Sequence, residues 1–188
     1  MDEASLAAVT EAVAADPGSC AVVLVEGMSD QAAVQTLAER SGRDLHAEGI
    51  FVVPMGGATN IGHFVDLFGP AGFGVRLAGL CDQREEHDFR RGLDRVAPYF
   101  VCVADLEDEL IRALGTSRVQ ALIEAEGESG PFRTFTRQPA HRGEDRHQQL
   151  RRFMGTRSGR KIRYGHVLAA ALDLARVPGP LAGLLSAV

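Results

Sequence analysis

A chain of 188 residues with 45 % hydrophobic and 24 % charged side chains is long enough for one packed domain with a small helical addition. No apolar run reaches the roughly 18–20 residues of a membrane span, and Asp2 and Glu3 stand where a secretory signal would be basic. The net charge is −5, and Cys20, Cys81 and Cys102 lack C-x-x-C spacing, which argues against a disulfide framework or a zinc site and for a reducing, cytoplasmic setting.

In chain order, residues 3–15 have helical spacing and stop at Asp16-Pro17-Gly18. The apolar run Ala21–Val25 predicts a first strand ending at Glu26-Gly27. Ser29 then opens a helix through about Arg40. Ile50–Val53 predicts a second strand, followed by Gly56-Gly57 and a short helix over Asn60–Phe68. Val75–Cys81 and Tyr99–Val103 predict two more strands, ending at Asp82 and Asp105. Strands that are continuous apolar runs separated by helices point to a parallel sheet buried on both faces. Beyond Asp105 the pattern is helical over about 106–114, 117–125, 144–153 and 161–176, with a last turn near Leu181–Leu185. Residues 127–143 read as a connection.

Charge divides the chain. Residues 1–130 carry 9 Arg against 22 Asp and Glu, a net of −13; residues 131–165 carry 9 Arg and Lys161 against 2 acids, a net of +8. An acidic body with a basic segment suits a metal-using enzyme of polyanions, though solvated Arg-rich helices would give the same count. The division expected is an N-terminal helix over 1–18, an α/β domain over 19–126 and a basic helical extension over 127–188.

In an open α/β sheet, functional groups gather where strands end. Three of the four strand ends carry acids: Glu26 with Asp30 a turn later, Asp82, and Asp105 with Glu107, Asp108 and Glu109. Packed carboxylates raise one another's pKa unless a cation neutralises them. Hard oxygen ligands suit Mg²⁺ or Mn²⁺, which activate water and stabilise charge on a phosphate. Asp30 would also serve as a first-turn helix acid, and Asp105 fits a helix N-cap better than a ligand because Asp108 follows three residues on.

The residues then resemble a known family. Val22-Val23-Leu24-Val25-Glu26-Gly27-Met28-Ser29-Asp30 is similar to the first Toprim motif of overcoming-lysogenization-defect (OLD) nucleases. Val52–Ile61 resembles their Gly-containing stretch, Val75–Asp82 the strand entering an Asp-x-Asp motif, and Leu106–Leu110 a later Leu-Glu segment. The resemblance spans about residues 20–115. It implies a Toprim (Rossmann-like) α/β fold, a small parallel sheet of about four strands with a C-terminal helical extension. It implies divalent metal on Glu26, Asp30, Asp82 and Glu107, with Glu26, Asp82 and Lys161 in the catalytic group. The activity implied is metal-dependent cleavage of nucleic acid phosphodiesters, with DNA favoured over RNA. Arg151, Arg152, Arg160 and Lys161 are the expected phosphate contacts.

Two departures accompany the resemblance. Arg84 stands where the second acid of Asp-x-Asp belongs, and neither Glu85 nor Glu86 has the right spacing to replace it. No G-x-x-x-x-G-K-[ST] sequence is present, so the expectation is a chain without its own ATPase domain, for which a separate ATPase protein is a conceivable partner. A homo-oligomer is open. The competing reading is a weakened Toprim module that binds nucleic acid or a partner protein, with Arg84 replacing metal charge. Nucleotidyl transfer is disfavoured because only Tyr99 and Tyr164 are available as tyrosines, neither beside a motif.

Overall fold

The structure, a computed structural model, describes residues 2–188. Four strands form one all-parallel sheet in the order β2-β1-β3-β4, with β1 at Ala21–Val25, β2 at Ile50–Pro54, β3 at Arg76–Asp82 and β4 at Tyr99–Cys102. The four strands and the parallel sheet are those the sequence predicts.

Side chains alternate across β1, so the run Ala21–Val25 serves two cores at once. Ala21, Val23 and Val25 point to one face, where they meet Ala78, Leu80 and Cys102. Val22 and Leu24 point to the other, with Val53, Leu77 and Cys81. All five β1 residues are buried. The registers pair Val25 with Pro54 on one side and with Leu80 on the other, and Asp82 with Cys102. Matched registers bring the carboxyl ends of the strands to a common edge.

Ten helices surround the sheet among the described residues. On one face lie α1 (Glu3–Ala15), α3 (Ile61–Phe68) and α4 (Glu86–Leu93). The other face is covered by α2 (Met28–Arg40), α5 (Leu106–Leu114), α6 (Thr116–Ala125), α7 (Ser129–Thr136), α8 (Arg146–Met154), α9 (Ser158–Ala171) and α10 (Gly179–Ala187). The basic helices α8 and α9 place Leu150, Phe153, Tyr164 and Leu168 in the same core as the sheet residues. None of the described helices is long and apolar enough to cross a membrane.

Three helical expectations change. Helix α4 is absent from the sequence reading because Phe89 and Leu93 are its only buried residues. They pack against Gly79, where a Cβ would lie 2.8–3.0 Å from their side chains. Helix α7 occupies part of the expected connection 127–143; Pro131 sits in its first turn, where its missing N–H costs nothing, and Phe132 and Phe135 turn inward. The helix expected over 161–176 ends at Ala171: Leu172 and Asp173 are extended, and Asp173 caps a short 3-10 turn by accepting from the Ala175 N–H at 3.0 Å.

Candidate metal centre

Glu26 leaves β1 at the sheet's carboxyl edge, and its backbone carbonyl accepts from the N–H groups of Gly56 and Gly57 at 3.0 and 3.1 Å. Both glycines have positive φ, 73° and 129°, which a residue with a side chain would adopt only with strain. This turn ties the end of β2 to that of β1. The Glu26 side chain then reaches across to β3, where its Oε1 accepts from the Asp82 N–H at 2.7 Å.

Asp82 in turn links β3 to α5: its Oδ1 accepts from the Leu106 N–H, in the first turn of that helix, at 3.1 Å. Asp105 is the N-cap of α5, accepting from the Asp108 N–H at 2.8 Å, and it also takes the Arg151 guanidinium at 2.6 Å. Asp30 likewise has a local role, accepting from the Gly27 N–H at 2.8 Å at the start of α2. Ala104, in the three-residue link between β4 and α5, is a non-glycine residue with a positive φ of 67°.

Glu26, Asp82 and Glu85 each offer a carboxylate oxygen, and these lie within 4.8 Å of one another. Glu85, set aside in the sequence for its spacing, enters because residues 82–85 form a turn closed by the Glu85 N–H on the Asp82 carbonyl at 3.0 Å. Arg84, next to it, is exposed. Beside this trio stand Asp30, 8 % exposed, and Glu107, 3 % exposed. The Lys161 ammonium, from α9, approaches Glu107 Oε2 at 3.4 Å.

Burial dominates the electrostatics. It pushes Glu26 up to about 7 despite the hydrogen bond from Asp82 N–H, with Glu85 and Asp30 adding to the rise. It pushes Asp82 up to about 8, helped by Glu26 and Asp30. Glu107 rises to about 7 although Lys161 opposes the shift, and burial raises Asp30 as well. Lys161 loses from burial but gains more from Glu107, Asp30 and Asp82, so its pKa lies above the usual lysine value. Four carboxyl groups, Glu107, Asp30, Asp82 and Glu26, thus act on one ammonium.

Two buried carboxylate oxygens, Glu85 Oε2 and Glu107 Oε1, have no hydrogen-bond partner. An all-oxygen, multiply anionic site with orphaned acceptors fits a hard divalent cation.

The expected phosphate contacts are placed differently from one another. Arg160 is turned inward, bound to Glu128 at 2.8 Å and stacked 4.1 Å from the Phe153 ring centre. Arg151 is held by Asp105, whereas Arg152, paired with Glu144 at 2.8 Å, leaves 63 % of its side chain exposed.

Comparison with known proteins agrees with the fold. Residues 19–83 match the family model for the Toprim domain of overcoming-lysogenization-defect-like proteins. The C-terminal region of the Burkholderia pseudomallei OLD protein superposes with a TM-score of 0.66 at 19 % identity, over 89 % of this chain and 96 % of that one. The C-terminal region of the Xanthomonas campestris pv. campestris OLD protein gives 0.66 at 23 % identity, over 90 % and 92 %. Among curated proteins, none matches the chain at a significant level.

Proposed function

We propose, from the premise that this chain carries a Toprim domain resembling that of the OLD proteins, that it hydrolyses nucleic acid phosphodiester bonds with the help of Mg²⁺ or Mn²⁺. DNA is the favoured substrate. The observation that carries the reading is the convergence of Glu26, Asp82 and Glu85, with a buried, unpartnered oxygen among them.

A bound divalent cation would supply Lewis-acid charge toward a phosphoryl oxygen and make water more acidic. The chain's own groups do the rest. Glu26 and Asp82, at the ends of two adjacent strands and each fixed by a backbone N–H, would hold the cation. Asp30 and Glu107 line the other side of the site, where their charge keeps Lys161 protonated. With 40 % of its side chain exposed, the Lys161 ammonium is available to a non-bridging phosphate oxygen. Arg152, on α8 and largely exposed, would extend the cationic surface along the substrate backbone. The three cysteines are free and buried, which supports a reducing, cytoplasmic setting.

A plasmid-nicking assay tests the reading. Nicking should need Mn²⁺ or Mg²⁺, stop with chelator, and fall at least a hundredfold in Asp82→Asn. Cleavage that survives chelation, or an Asp82→Asn chain as active as the native one, would overturn it.

A further inference from the structure

We propose that Glu85 is the third carboxylate ligand of one divalent cation held with Glu26 and Asp82, and that the chain binds a single such ion. The inference rests on the metal-dependent reading above and names a ligand that an Asp-x-Asp pattern would not.

The position two residues after Asp82, where an Asp-x-Asp pair has its second acid, holds the exposed Arg84. A guanidinium cannot ligate a cation. The next residue can, and the backbone is folded to let it. The turn closed between Glu85 N–H and the Asp82 carbonyl reverses the chain directly after β3. Helix α4 starts there, and its position is fixed by Phe89 and Leu93 seated against the side-chain-free Gly79. Glu85 is thereby held at the sheet edge, with one oxygen in the trio.

The choice its side chain makes is informative. Glu85 is only partly buried and stands at a helix start, so solvent is within its reach. Its Oε2 is nonetheless enclosed without a hydrogen-bond donor, beside two other carboxylates. A solvated rotamer would avoid both the desolvation and the repulsion, so the arrangement makes sense as one awaiting a cation.

The count of one ion follows from the other half of the site. Glu107 already has a positive charge, the Lys161 ammonium at 3.4 Å. Asp30 Oδ2 is committed to the Gly27 N–H. A second divalent ion there would face a fixed ammonium, and a positive neighbour in a poorly solvated site is strongly repelled.

Calorimetric titration of Mn²⁺ into the full chain tests this. One Mn²⁺ should bind per native chain. Glu85→Gln, which keeps shape and removes charge, should weaken binding at least tenfold, while Glu86→Gln, at a residue paired with Arg90, should change it less than twofold. Carbodiimide labelling of the native chain needs no variant: Mn²⁺ should protect Glu85 and leave Glu86 reactive. Native-strength binding in Glu85→Gln, two ions per native chain, or no protection of Glu85 would overturn the proposal while leaving the metal-dependent reading in place. A native chain that binds no Mn²⁺ would overturn both.

Discussion

Glu26 and Asp82 are acids placed where acids are costly, and the cost has a pH signature. Their pKa values of about 7 and about 8, with Glu107 also at about 7, all lie above the ordinary carboxyl values of 4.5 and 3.8, chiefly because burial penalises the charged form. Between those limits the folded chain binds more protons than the unfolded one, so the stability these groups contribute is full at low pH and is lost as pH rises through 7 to 8. Without divalent ions, the melting temperature should therefore fall between about pH 5 and pH 8. Mn²⁺ should restore it, and more so at pH 8 than at pH 6. Thermal melts in stepped buffers with and without Mn²⁺ check this; a metal-free melting temperature that climbs over that range would contradict it. Glu26 and Asp82 were legible in the sequence because a carboxylate directly after a buried apolar strand has no ordinary packing role. Glu85 was not, because its place depends on a turn whose closure no side-chain pattern announces. Asp105 illustrates the opposite case: the Asp three residues on marks an N-cap, and Asp105 is one.

Helix α9 crosses α2 so closely that a Cβ on Gly165 would lie 2.5 Å from the Ser29 carbonyl oxygen. That crossing sets where Lys161, one turn earlier, meets Glu107. Gly165→Ala should push the helices apart, destabilise the chain by about 1–3 kcal/mol and weaken any function of Lys161; urea unfolding measures the first. Arginines of the basic helices should separate by environment. Arg160→Ala removes a nearly buried partner of Glu128 and should cost roughly 2–3 kcal/mol, whereas Arg152→Ala should stay within about 0.5 kcal/mol in stability. Equal effects at both positions would show that the inward and outward placements are wrong. The buried parallel strands were readable because both faces demand apolar residues and leave an unbroken run. Helices α4 and α7 were not, since each shows only two inward aromatic or aliphatic residues among polar ones, and α4 depends on the missing side chain of Gly79 in another element.

Over the whole molecule, the acidic body and the basic segment neutralise one another across the fold. Asp105 takes Arg151, Glu128 takes Arg160 and Arg163, and Glu107 takes Lys161. The segment's net of +8 is thus partly spent inside the molecule. Nucleic acid binding should weaken with salt, with a log–log slope well short of the roughly −7 that eight free cations would give on duplex DNA; filter binding at several salt concentrations measures it, and a slope near −7 would mean that the internal pairs open on binding. The change of charge near residue 130 was plain in the sequence. That the basic helices also complete the core over one sheet face was not, because the residues that do so, Leu150, Phe153, Tyr164 and Leu168, are sparse among arginines. The central claim is that this fold gathers Glu26 and Asp82 to hold a divalent ion, and an anomalous difference map from a Mn²⁺-soaked crystal tests it most directly. The expected result is one peak within coordination distance of both carboxylates; a map with no peak there, or with Mn²⁺ bound only elsewhere, would contradict it.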